Sequence, residues 1–255
     1  MRPSTTSPEK HLIRALAVLF WLGVWQIASM IIGQEILLVS PVRAAATLID
    51  LMGRGSFWQS VFSSFGHILQ GFALAAGLGL LLAVLAGVSR VVRVLLEPLM
   101  HAVKATPVAS FVILALVFIR SERLSVFISF LMVLPIMYTN ILAGIGAADE
   151  KLLEMAKVFR IGPFRTARSV YLSAVYPHFL SACTLSLGMC WKAGVAAEVI
   201  GYPRHSIGEA LYMAKLNFDT PDIFAWTLAV ILLSVGFEKL ILALMRLLGR
   251  ALGGE

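Results

Sequence analysis

Asp149-Glu150-Lys151-Leu152-Leu153-Glu154-Met155-Ala156-Lys157-Val158-Phe159-Arg160-Ile161-Gly162-Pro163 lies between two long apolar runs, Leu124–Gly146 and His178–Ile200. Within it Leu152, Met155, Ala156 and Phe159 recur at i, i+3, i+4 and i+7, one apolar stripe on a short helix. Lys151, Glu154 and Lys157 face the other way. Gly162-Pro163 reads as a helix stop, because glycine closes a helix and proline cannot continue it. Phe164, Ala167, Tyr171, Leu172 and Val175 form a second stripe that ends at Pro177. Two short helices joined at a glycine bend form a knob beside a membrane; periodicity alone equally allows an interfacial helix lying on lipid.

The flanking runs decide the fold class. The chain of 255 residues is 59% hydrophobic and 14% charged, where a soluble domain carries roughly a quarter charged residues. Its apolar blocks approach the ~20 residues that a bilayer-crossing helix needs. Candidate spans are Ala15–Ile32, His67–Val88, Pro98–Phe118, Leu124–Gly146, His178–Ile200 and Phe224–Leu248. They are apolar on all faces and lack the alternation of barrel strands. The expectation is an all-α membrane protein of about six transmembrane helices, a single domain over 1–255.

Cation placement orients it. With the N-terminus cytoplasmic, that side holds Arg2, Lys10, Arg14, Arg90, Arg93, the cations of 151–168, Arg246 and Arg250. The opposite side holds Arg43, Arg54, Arg120, Arg123, Arg204 and Lys215. This excess predicts both termini in the cytoplasm. The net charge of +7 is scattered over loops rather than gathered into a patch, which argues against nucleic acid. Met1–His11 precedes an apolar run with no clean cleavage site, so Ala15–Ile32 reads as a retained span.

Pro41–Gly53 is an amphipathic or re-entrant stretch, followed by a turn-like Gly53-Arg54-Gly55-Ser56. The second span is rich in glycine and alanine from Gly71 to Gly87, which suits close helix packing. Ser89–Arg93 reads as a short basic turn. Glu97, His101 and Lys104 then share one helical stripe between Pro98 and Pro107. That stripe either lines a polar vestibule or marks a helix end where long side chains reach the headgroups. Cys183 and Cys190 read as packing residues, and no metal-ligand spacing of histidines occurs. No phosphate-binding Gly-x-x-x-x-Gly-Lys-Ser/Thr loop is present, so any ATP used acts on another chain.

Ionisable residues deep in a span default to function. Lys192 and Glu198 qualify; six residues apart on a helix, they point roughly 120° apart and do not pair directly. Lys192 either faces a wet pathway and attracts an anion, or meets a partner in another helix. Glu198 sits toward the outer end, where gating or contact with Tyr202, Arg204 or another subunit is open. Trp191 is a packing or pathway-wall aromatic.

Glu154-x-Ala156, then Gly162, then Val170-Tyr171-Leu172 with Pro177, resembles the cytoplasmic "EAA" loop of binding-protein-dependent ABC importer permeases. That loop reads Glu-Ala-Ala, a later glycine, then Ile-x-Leu-Pro. Here Met155 replaces the middle residue and Ser173 takes the proline position, with Pro177 fitting a second proline found in relatives. Ser40-Pro41, Leu187–Gly201 and Ser206–Leu211 resemble the sulfonate, nitrate and taurine branch. The likeness runs from about Val39 to the C-terminus.

The resemblance implies a permease subunit in a bacterial cytoplasmic (inner) membrane, not itself an enzyme and without a cofactor of its own. Cytoplasmic ABC ATPase subunits would carry ATP and Mg, and an extracytoplasmic substrate-binding protein would deliver a small solute of the sulfonate, nitrate or taurine kind, with its charge left open. A second permease copy, expected as a homodimer, and membrane lipid complete the partners. It further implies an ATPase-coupling loop over about 147–177 that includes Glu154, Ala156, Gly162, Leu172 and Pro177. An ion-coupled secondary transporter or an intramembrane enzyme is the alternative; each calls for more buried or clustered acids than this chain supplies.

Overall fold

A computed structural model describes residues 7–251 of the chain. Arg2 lies outside the described residues, as do the side chains of Lys10, Arg14, Arg246 and Arg250. Among the described residues every regular element is helical. In chain order these are α1 (Ser7–Ile32), α2 (Pro41–Met52), α3 (Gly55–Val88), α4 (Arg90–Ala105), α5 (Val108–Leu116), α6 (Ser121–Gly146), α7 (Glu150–Val158), α8 (Pro163–Thr166), a π-helical turn (Ala167–Tyr171), α9 (Leu172–Gly201), α10 (Ile207–Leu216) and α11 (Thr220–Ala251).

Five helical stretches are long and apolar enough to cross a membrane, and α4 with α5 make a sixth if that bent pair is one span. The expected span Pro98–Phe118 is not one helix. It breaks between Ala105 and Val108, and the two axes diverge by 100°. Pro107 supplies no N–H and pushes its predecessor out of the helical region; Thr106 is extended at φ −80°, ψ 130°. Ser89–Arg93 is not a turn either. Ser89 caps α4 by accepting from the Val92 N–H, and helix begins at Arg90. Ser40 caps α2 in the same way, with Pro41 at the first helical position.

The chain parts into two compact units. The first combines Met1–Trp58 with Ala210–Ile231. In it the Trp25 indole donates to the Val39 carbonyl at 2.9 Å and lies 5.9 Å from the Phe224 ring. Phe57 stacks on Trp226 at 4.8 Å.

The second unit combines Gln59–Glu209 with Leu232–Glu255. Its core is the pairing of α6 with α9, which bury Ile128, Val133, Met137, Ile141, Leu187 and Trp191. Small residues set the spacing. A Cβ on Gly71 would fall 2.8 Å from the Ser129 Cβ, and one on Gly194 would fall 2.7 Å from the Ser129 hydroxyl oxygen. Contact that close lets dispersion act between backbones where lipid offers no hydrophobic gradient. The Ser129 hydroxyl also donates to the Cys190 carbonyl at 3.1 Å. Helix α5 closes one end of this pair through Val112 and Ala115, which meet Leu124, Ile128, Ala193 and Ala197.

Candidate functional site

Helix α7 begins where Asp149 accepts a hydrogen bond from the Lys151 N–H at 2.9 Å. Its end departs from expectation. Arg160, not Gly162, takes the left-handed conformation, at φ 51°, while the Ile161 N–H returns to the Ala156 carbonyl at 2.8 Å. Gly162 is extended at φ −62°, ψ 153° and leads into α8, whose first residue is Pro163. A side chain at Gly162 would meet nothing within 4 Å.

The second loop helix does not end at Pro177. From Pro163 the chain stays helical through the π-helical turn at Ala167–Tyr171 and on to Gly201. Pro177 lies inside α9, so loop and span form one continuous rod. Leu172, half exposed, opens α9. On α7 only Ala156 is buried, at 5% exposure. Glu154 is exposed, and Leu152, Met155, Val158, Phe159 and Phe164 turn apolar surface outward. Most of the stripe read from the sequence therefore faces away from the chain.

Glu198 is fully buried. Its carboxylate accepts from the Ser64 hydroxyl at 2.6 Å and from the Gly208 N–H at 3.4 Å. Ser64 in turn accepts from the Ile207 N–H at 2.9 Å. The buried Ser125 hydroxyl also lies within reach of this carboxylate. A Cβ on Gly208 would collide with the Glu198 Cβ and backbone, so glycine there is what lets the loop reach the acid. Ser206 accepts from the Glu209 N–H at 3.0 Å and starts α10. The motif Ser206-Ile207-Gly208-Glu209 thus docks a loop onto a buried acid.

Trp191 is fully buried against Phe65 and Phe237, ring centroids 6.4 and 5.8 Å away. It packs. Lys192, next to it, is exposed on a face of α9 that also shows Ser181, Thr184, Gly188 and Ala196. The structure therefore separates the three expected pathway residues: two are interior and one is on a surface. Cys183 and Cys190 are buried free thiols. Among the described residues no group of His, Cys, Asp and Glu has the geometry to hold a metal.

A cavity of about 650 Å³ was only half legible in the sequence. It is lined by the α4 stripe of Arg93, Glu97, His101 and Lys104, by Tyr138 and Thr139 of α6, and by Tyr171 of the π-helical turn. Two permanent cations thus face one acid. The Lys104 ammonium donates to the Thr139 hydroxyl at 3.4 Å. Tyr138 is 3% exposed, and its hydroxyl has no hydrogen-bond partner. An apolar groove of about 350 Å³ adjoins it, sharing Gly87, Ile145 and Tyr171. A third cleft, under α7, is lined by Ala156, Lys157, Ile161 and again Tyr171. The sequence paired Glu97, His101 and Lys104; the fold adds Arg93, Tyr138, Thr139 and Tyr171.

Known proteins are similar to this chain. Residues 75–254 match the family described as binding-protein-dependent transport system inner membrane component. The putative aliphatic sulfonates transport permease protein SsuC of Bacillus subtilis is 29% identical over 234 residues, which is 91% of this chain and 83% of that one. The bicarbonate transport system permease protein CmpB of Synechococcus elongatus is 26% identical over 58% of this chain and 54% of its own. The nitrate import permease protein NrtB of Leptolyngbya laminosa is 25% identical over 73% and 69%. Neither a self-sufficient secondary transporter nor an intramembrane enzyme accounts for this match. The chain belongs to the binding-protein-dependent transport system inner membrane components: it is the non-enzymatic permease subunit of an ABC importer, working with an ATPase on a separate subunit and a substrate-binding protein.

Proposed function

We propose that this permease carries a small anion and that the cavity between α4 and α6 is its vestibule on the side of the 147–177 loop. The observation that carries the reading is the cavity lining: Arg93 and Lys104 against the single acid Glu97, with an unpartnered Tyr138 hydroxyl among them. An anion gains charge-assisted hydrogen bonds there that a neutral solute does not. The names of the relatives agree, since sulfonate, bicarbonate and nitrate are all anions.

The loop docks the ATPase in this reading, with both termini and the loop in the cytoplasm and ATP and Mg bound by the partner. Gly162 supports it. Its backbone is ordinary and its surroundings are open. Nothing within the chain fills the space at this position, which leaves room for a partner surface to approach closely. Glu154 is exposed beside apolar Leu152 and Met155, a surface suited to a groove that also offers a cation. Ala156 is buried beneath the loop, Leu172 is half exposed at the start of α9, and Pro177 lies farther along that helix.

Two copies make the pathway. A lysine near a bilayer midplane costs about 2.5–3.5 kcal/mol, so the exposed α9 face bearing Lys192 meets water or a second copy rather than lipid alone. The two units then act as one permease domain, ringed by lipid. Glu198 and Trp191 support the walls from within. The test is reconstitution of the chain with its ATPase and binding protein in proteoliposomes. ATP-dependent uptake of a radiolabelled anion, abolished by Lys104→Gln with the complex intact, supports the reading; unchanged uptake rejects the vestibule.

A further inference from the structure

The apolar groove of about 350 Å³ belongs to the second unit and is walled by Leu80, Val84 and Val88 of α3, Ile141 of α6, and Leu172 and Val175 of α9. Apart from Tyr171, every side chain that lines it is apolar. Leu80, Val84, Val88 and Leu172 are exposed, so the chain itself does not close the groove over. All three walls lie on helices long and apolar enough to cross a membrane. Hydrocarbon is therefore what the opening meets unless protein covers it.

Two of the walls turn cationic at the same end. On α3 the row Leu80, Val84, Val88 stops at Ser89, and the exposed Arg90 opens α4. On the rod that leads into α9, Val175 and Leu172 give way toward the N-terminus to half-buried Tyr171, then to exposed Arg168 and Arg165. Arg168 precedes Leu172 by four residues and Arg165 precedes Arg168 by three, so both extend the groove's stripe along the rod. Apolar side chains, then a tyrosine, then cations is the order met on passing from acyl chains into headgroups. Against these three arginines stand Asp149 and Glu150 beyond the α6 wall, and Asp149 already accepts the Lys151 N–H.

We propose that the groove holds an acyl chain of an anionic phospholipid, with its headgroup at Arg168, Arg165 and Arg90. A second copy of this chain suits the rim poorly. Its own basic loop, on the same side of the membrane, would set cation against cation. A zwitterionic phospholipid fills the groove equally well but brings no net charge to the rim. Each cation beside the membrane favours anionic lipid by about fivefold. The π-helical turn that carries Arg168 and Tyr171 joins the 147–177 loop to its span, so the lipid sits at that junction.

The test uses the permease–ATPase complex in nanodiscs of mixed phosphatidylglycerol and phosphatidylcholine, with a photoactivatable group in the acyl chain of one lipid or the other. Peptide mapping after illumination reads where each lipid lies. Phosphatidylglycerol is expected to label the segments 80–88 and 172–175 severalfold more than phosphatidylcholine does. Arg168→Gln lowers that preference about fivefold and leaves labelling by phosphatidylcholine unchanged; Arg90→Gln serves if Arg168→Gln does not assemble with the ATPase. Val84→Trp fills the groove and removes labelling by both lipids.

Equal labelling by the two lipids overturns the proposal, as does a preference that neither arginine variant lowers. A groove labelled by neither lipid overturns it too, and assigns the surface to a protein partner.

Discussion

Ser64 and Glu198, 134 residues apart in sequence, meet in a 2.6 Å hydrogen bond at two fully buried positions. The bond ties α3 to α9, and the Ile207 and Gly208 N–H groups tie the following loop to the same pair. A buried acid is costly unless hydrogen-bonded, and here backbone and hydroxyl donors meet that cost on one of its oxygens.

Removing this support destabilises the fold without touching the cavity. Ser64→Ala is expected to cost about 1–3 kcal/mol by leaving a donor and an acid short of a partner. Gly208→Ala costs more, because its methyl group meets the Glu198 backbone as well as its side chain. Thermal unfolding of the detergent-purified chain, followed by fluorescence, reads both. A Gly208→Ala protein as stable as the parent contradicts the docking role of the loop.

Gly162→Asp acts on the partner rather than on the chain. Because a side chain at this position meets nothing within the chain and φ is unstrained, the variant retains its melting temperature. Association with the ATPase drops in an affinity pull-down from solubilised membranes. Full ATPase recovery at parental levels excludes Gly162 from the coupling contact.

Tyr171 lines the cavity, the groove and the cleft beneath α7. It stands in a π-helical turn, a departure from regular helix found often at functional sites. Tyr171→Ala is expected to leave the complex assembled and its basal ATP hydrolysis intact. ATP-driven uptake in proteoliposomes falls severalfold, because movement of the loop no longer reaches the cavity wall. Equal losses of uptake and assembly would mean a merely structural tyrosine.

Trp191 and Lys192, adjacent in sequence, separate by readout. Trp191→Ala empties a space bordered by Phe65 and Phe237 and costs about 3–5 kcal/mol. Lys192→Met keeps stability, since that side chain is exposed, and lowers uptake of the anion. Calorimetry and uptake assays on the same preparations check the pair; a destabilised Lys192→Met protein places that lysine in the fold instead.

The membrane class, the spans other than the third, and the Glu154–Gly162 loop were legible because each rests on local patterns: apolar length, helical period and a short motif. The third span misled because its two halves are individually apolar. Only Thr106-Pro107 marks the break, and a proline inside an apolar run can as well bend a helix as end it; Pro98, Pro135 and Pro177 all lie inside helices. Gly162 reads as the helix stop because glycine tolerates positive φ most readily. Arg160 took that conformation instead, held by the bond from the Ile161 N–H to the Ala156 carbonyl.

Sequence by itself determined what this chain is made to live in and which segment resembles an ATPase-coupling loop, since bilayer thickness and helical period act on neighbouring residues. It also placed Glu97, His101 and Lys104 on one stripe. Only tertiary structure decided that this stripe faces a cavity and that Arg93, Tyr138, Thr139 and Tyr171 join it. It alone buried Glu198 beside Ser64 while leaving Lys192 outside. Those outcomes depend on how α3, α4, α6 and α9 pack, and packing joins residues far apart in the chain by shape and hydrogen bonding, which no local spacing records.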